Sequence, residues 1–257
     1  MDEKRWPRLR NIVNMVRGTV KPTSHPGVLL SGGLDSTILL HHLVECSNEP
    51  VKAFTVGCGS WNESESARLV AEHYGVEWTY IPIKGVDAAL REIVPKLTHP
   101  RWNIWPLWAY REAARQDVDN VYIAEGMDEH FSGYWYKPEA TPQEYWGGVL
   151  EWSLPIHRQL AQLNGLNLHI PFISLPLKET IGSWDPERGK KALREAYKGV
   201  IPECARTRVK QPGRINFLSI WDEEFSSLPF PKPETMEESY RILNLYVTKI
   251  WLDSKGA

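Results

Sequence analysis

The apolar run Val28-Leu29-Leu30 passes directly into Ser31-Gly32-Gly33-Leu34-Asp35-Ser36, after which Ile38, Leu39, Leu43 and Val44 return at helical spacing. A short apolar run reads as a buried strand, paired glycines break it, and the resumed period reads as a helix. The pattern predicts an α/β chain, and the following residues repeat the alternation. Strands are expected at 51–56, 76–83 and 121–124. Helices are expected at 4–18, after a capping-box pattern at Asn62-Glu63-Ser64-Glu65, near 86–94, and from an Asn103 cap to Gln116. Strands separated by helices imply a mainly parallel sheet with right-handed crossovers and helices on both faces.

After Lys137 the strand signal becomes scarce, and residues 143–220 read as helices joined by Pro/Gly turns. Leu228-Pro229-Phe230-Pro231-Lys232-Pro233 reads as an extended, exposed excursion, and a last helix is expected over about 235–253. The expectation is one domain over 1–257, with an α/β core at 1–136 and a mainly helical part at 137–257 covering the cleft.

The net charge of −2 gives no bulk attraction to nucleic acid or to an anionic membrane. No apolar run approaches the ~20 residues of a membrane span. Three cysteines, odd in number and widely spaced, point to a reducing cytoplasm rather than a disulfide framework. The twelve tryptophans read as core and cleft lining. His41, His42, His73, His99 and the remaining histidines show no ligand spacing with Cys or with one another, so structural or surface roles are expected for all of them.

In the glycine turn, successive N–H groups can form a nest for an anion, and the helix N-terminus adds partial positive charge. The Ser31, Ser36 and Thr37 hydroxyls can donate to phosphate oxygens. Asp35 would repel phosphate on its own and makes sense beside Mg²⁺. The plainer reading is an ordinary tight turn with an Asp/Ser helix cap, which the six-residue pattern in strand–turn–helix context disfavours. No Gly-x-x-x-x-Gly-Lys-Ser/Thr loop occurs, and no Gly-x-Gly-x-x-Gly follows a strand. The Ser-Gly-Gly-x-Asp-Ser pattern resembles the signature of the PP-loop ATP pyrophosphatases. That resemblance implies an adenine nucleotide α-hydrolase-like fold, adenylate formation and pyrophosphate release.

The fourth strand leads into Glu125-Gly126-Met127-Asp128-Glu129, a carboxylate cluster that is unfavourable without a cation or basic partner. Ligands of open α/β sheets sit beyond the carboxyl ends of strands, so this turn should face the phosphate loop. Residues 27–36, the Glu-Gly-x-Asp-Glu stretch, Gly165-Leu166-Asn167-Leu168-His169-Ile170-Pro171-Phe172, and Gly189-Lys190-Lys191 through Arg208-Val209-Lys210 occur in the order seen in asparagine synthetases. The chain resembles their synthetase domain over about residues 5–253.

The resemblance implies that Ser31, Gly32, Gly33, Asp35 and Ser36 hold pyrophosphate, and that Leu29, Val56, Ile123 and Ala124 border adenosine. It implies that Asp35 and Asp128 bind Mg²⁺, that Glu125 orients or deprotonates the amine, and that Lys210 neutralises transition-state charge with Arg208 supporting the phosphates. The expected activity is an ATP-dependent, AMP- and pyrophosphate-forming synthesis of asparagine from aspartate and ammonia. Alternatives are the same chemistry on another carboxylate or amine, and a catalytically reduced nucleotide-binding subunit.

Two departures bear on the substrates. Family members begin with a glutaminase domain for which this sequence leaves no room, so free ammonia, another amine or a separate glutaminase subunit is expected; a homo-oligomer is a further possible assembly. Asn167, His169 and Ser174 stand where the family has Glu, Arg and Asp, which leaves the identity of the acid open.

Overall fold

The computed structural model describes residues 6–58, 62–131, 133, 142–175, 189–209, 217–226, 228 and 230–256. Five parallel strands form one sheet in the order β3-β2-β1-β4-β5: β1 (Pro26–Leu29), β2 (Lys52–Gly57), β3 (Glu77–Pro82), β4 (Asn120–Tyr122) and β5 (Asn167–His169). The helices before and between them are α1 (Trp6–Thr19), which precedes β1, then α2 (Leu34–Cys46), α3 (Ser64–Tyr74), α4 (Val86–Ile93), α5 (Pro106–Arg115), α6 (Met127–His130), α7 (Pro142–Gly148) and α8 (Leu154–Leu163). Then come α9 (Lys191–Ala196), α10 (Glu203–Thr207), α11 (Trp221–Glu224) and α12 (Met236–Lys255).

Strand periodicity divides the interior in two. Successive side chains of a strand point to opposite faces. Val28 and Leu30, Ala53, and Tyr122 join one core with α1, α2, α3 and α9, whereas Phe54, Val56 and Val121 join the other with α4, α5, α8 and α12. Both faces are therefore covered, as a parallel sheet requires.

Several local expectations differ from the structure. β5 is a three-residue strand that the sequence pattern does not announce, and it pairs with β4 at the sheet edge. Helix α5 begins at Pro106 behind Trp105, not at Asn103. Asn62 accepts the Ser64 N–H at 2.8 Å, so it forms a local turn ahead of α3 rather than a capping box. In the Pro-rich stretch Pro231 and Lys232 are exposed as expected, whereas Leu228 and Pro233 are buried and Phe230 packs half-buried against the core. Thr235 caps α12, its hydroxyl accepting the Glu238 N–H.

Candidate active site

The carboxyl ends of the parallel strands share one edge of the sheet, where a cleft of about 990 Å³ opens. From the β1–α2 turn, Leu29, Ser31, Gly33, Asp35 and Ser36 line it; β2 contributes Val56. Ile123, Ala124, Glu125 and Asp128 line it from the loop after β4, and Arg208 from the segment after α10. The structure thus brings together residues separated by most of the chain. Lys210 lies outside the described residues.

The turn is held by its own hydroxyls. Ser31 Oγ accepts the Gly33 N–H at 3.2 Å, and Ser36 Oγ accepts the Ser31 N–H at 3.2 Å; the two hydroxyls lie 3.0 Å apart. Gly33 precedes the first turn of α2, so its peptide lies at a helix N-terminus. Gly32 is set by packing. It sits at φ +67°, and a Cβ there would lie 2.3 Å from the Ser66 carbonyl carbon, so it lets α3 pack against the turn and does not line the cleft. Thr37 is fully buried and also off the cleft wall.

Arg208 ties this turn to the second half of the chain. Its guanidinium donates to Ser31 O at 2.7 Å and to Glu63 Oε1 at 3.2 Å. Arg194 in turn donates to the carbonyls of Gly189 and Arg208, both at 2.9 Å, and to that of Arg206. Burial pushes its guanidinium below the usual arginine range.

The centre of the cleft is a cation between two carboxylates. Lys190, only 4% exposed, places Nζ against Asp35 Oδ2 and 2.6 Å from Asp128 Oδ1. Gly133 gives way to this trio: a Cβ there would lie 1.7 Å from Asp128 Oδ1 and 2.4 Å from Lys190 Cε. Lys190 is a residue to which the sequence assigned no role. The Gly-Lys segment was visible, but nothing local tells which side of it meets residues 155 positions away.

The oxygens of Asp35 and Asp128 converge on one cation position. Mg²⁺ takes oxygen ligands, commonly one or two carboxylates completed by substrate phosphates, and this donor set fits it.

Beside Asp128, Glu125 faces the buried His157, whose Nε2 lies 3.9 Å from Glu125 Oε1. By contrast, Asn167, His169 and Ser174 do not line the cleft. His169 stacks on Tyr122 and bonds Asn120 at 2.9 Å, and Ser174 donates to Pro171 O. His41 and His42 also lie off the cleft. Both approach Glu45, His42 bonds Tyr197 at 2.7 Å, and burial lowers both imidazoles. With Glu45 they form a His/His/Glu group whose ligand atoms lie within 4.8 Å of one another, a convergence that His/Cys spacing alone did not disclose. Among the described residues no helix is long and apolar enough to cross a membrane.

Residues 11–165 match the family described as asparagine synthase. The chain is 28% identical over 253 residues to the glutamine-hydrolyzing asparagine synthetase of Homo sapiens, covering 84% of this chain and 44% of that protein. It is 26% identical over 216 residues to a probable asparagine synthetase of Acanthamoeba polyphaga mimivirus, covering 72% and 38%. The chain therefore spans less than half the length of these curated relatives. Among solved structures it is similar to a U34-tRNA thiolase from Methanococcus maripaludis, with a TM-score of 0.45, 16% identity, and coverage of 97% of this chain and 79% of the other. It is also similar to the NH3-dependent NAD synthetase of Campylobacter jejuni, with a TM-score of 0.33, 16% identity, and coverage of 79% and 99%.

Proposed function

The chain belongs to the asparagine synthase family, and on that premise we propose that it is an ATP-dependent ligase forming an amide through an acyl-adenylate, with AMP and pyrophosphate as by-products and aspartate and ammonia as substrates. One observation carries the reading: the aspartates of two separate strand-end loops meet a single ammonium inside one cleft.

The turn N–H groups and the hydroxyls of Ser31 and Ser36 receive the β- and γ-phosphates as the leaving unit, while Leu29, Val56 and the Ile123-Ala124 backbone border adenosine. Arg208, bonded to Ser31 O, holds the turn in shape rather than gripping phosphate itself. Asp35 and Asp128 would hold Mg²⁺, which would neutralise phosphate charge when bound. With Mg²⁺ in place the Lys190 ammonium, which otherwise neutralises the two carboxylates, would be available to pair with the phosphates. Attack of the substrate carboxylate on the α-phosphorus expels pyrophosphate. Lys210 stabilises the charge that builds there and on the later tetrahedral intermediate. Glu125 takes a proton from the amine as it attacks the acyl carbon, and AMP leaves.

The test is incubation with ATP, Mg²⁺, aspartate and ammonium, with asparagine, AMP and pyrophosphate quantified by mass spectrometry. A panel of other carboxylic acids and amines is run in parallel. Equimolar asparagine, AMP and pyrophosphate are expected. Asparagine absent but another amide formed with AMP would reassign the substrates. Neither pyrophosphate nor amide with any acid would overturn the ligase reading.

A further inference from the structure

Beneath Glu125 lies a pair of buried polar side chains that the adenylation chemistry does not use. Tyr110, from the middle of α5, is fully buried, and its hydroxyl lies 2.5 Å from Nδ1 of His157 on α8. Among the described residues this is the only hydrogen bond of the Tyr110 hydroxyl. A buried hydroxyl left without an acceptor is strongly disfavoured, so the phenol donates and Nδ1 accepts.

The imidazole is neutral. Burial lowers His157 to about 4, and burial together with the nearby Glu125 charge pushes the phenol well above its usual value. A neutral imidazole that accepts at Nδ1 carries its proton on Nε2. That nitrogen faces Glu125 Oε1 at 3.9 Å. The ring is fixed from a second side by Trp105, packed edge-on with centroids 5.8 Å apart.

We propose that His157, oriented by Tyr110, is a positioning residue for Glu125: its Nε2–H holds the carboxylate, through Oε1, in the orientation from which Glu125 meets the incoming amine. The 3.9 Å separation closes to hydrogen-bond length when substrates fill the cleft, as catalytic hydrogen bonds commonly tighten on binding. No proton leaves His157. It acts only by fixing where the Glu125 oxygens stand, and misplacement by about 1 Å in such a site slows a reaction roughly a hundred-fold. The inference rests on the amide-synthetase reading above. It assigns to the Tyr110–His157 pair the second, amine-dependent half of the reaction.

Two measurements test it. In ¹⁵N-labelled protein the His157 ring shifts report its tautomer without any turnover. The Nε2–H form is expected, giving way to a tautomer mixture in Tyr110→Phe; an Nδ1–H ring in the unaltered protein overturns the proposal. Kinetically, ATP–pyrophosphate exchange with aspartate reads adenylation, and asparagine formation with ammonium chloride reads the second half. In His157→Leu, amide formation should fall about ten-fold or more beyond any fall in exchange. His157→Gln, whose amide N–H reaches the same oxygen, should recover most of that difference, with thermal unfolding showing that both variants fold. Equal losses in the two half-reactions, or no recovery with Gln, overturn the positioning role. An unaltered protein without exchange on any acid overturns instead the ligase reading on which it rests.

Discussion

Replacing Lys190 by Met keeps the stem and removes only the ammonium between Asp35 and Asp128. Unit charges 2.6 Å apart, the separation from Asp128 Oδ1, attract by about 6 kcal/mol at an effective dielectric of 20. Desolvating an ammonium that is 4% exposed offsets much of this. Breaking the pair, however, leaves two carboxylates of 19% and 15% exposure facing each other. The net loss is about 3 kcal/mol, which for a chain of this size lowers the unfolding midpoint by about 6–12 °C. A second cation can refill the gap. Free Mg²⁺ at a hundred times its dissociation constant contributes about 2.7 kcal/mol, so Mg²⁺ should restore most of the lost midpoint in Lys190→Met while shifting the unaltered protein far less. The assay is thermal unfolding by circular dichroism of both proteins in EDTA and in saturating Mg²⁺. An unchanged midpoint in Lys190→Met, or a drop of the same size in both buffers, would refute the idea that one cation position serves both partners.

Gly133→Ala puts a methyl group 1.7 Å from Asp128 Oδ1 and should displace the trio; pyrophosphate exchange is expected to fall about a hundred-fold, and the unfolding midpoint to fall along with it, as in Lys190→Met. Arg208→Met removes the bond to Ser31 O and should raise the KM for ATP about ten-fold, with a smaller effect on kcat, in steady-state kinetics. His42, His130 and His157 are each held by burial at about 4, below the ordinary 6.5. The unfolded chain therefore binds more protons between those values, and stability is full above about pH 6.5 and lost as pH falls toward 4, by up to about 1.4 kcal/mol per pH unit for each group. Urea midpoints should drop between pH 7 and pH 5, and His42→Gln should show a shallower drop than the unaltered protein.

The parts of this molecule legible in its sequence are those whose physics is local. The β1–turn–α2 unit could be read because a buried run, two glycines and a helical period follow one another within about twenty residues, and the structure sets Ser31, Gly33, Asp35 and Ser36 on one wall. The parallel order of the strands followed from alternation with helices. Strand β5 escaped because Asn167-Leu168-His169 owes its conformation to pairing with β4 and to the His169–Asn120 bond, not to its own propensities. The duty of Gly32 depends on where α3 passes, and the convergence on Lys190 joins residues 155 positions apart. Resemblance could align the segment at 165–174 with a family motif, but only coordinates showed that His169 turns to Tyr122 and away from the cleft.

The distance along the chain between the partners of the central trio has a consequence during synthesis. A ribosome adds about 5–20 residues per second, so Asp128 emerges several seconds before Lys190, and Arg208 follows later still. Throughout that interval the nascent chain carries both halves of an acidic pocket and neither of the side chains that neutralise or brace it. The strand-end loops thus acquire their final arrangement only once Lys190 and Arg208 have both been made, and a ribosome stalled before that point would display an open, anionic cradle lacking the side chains that neutralise and brace it.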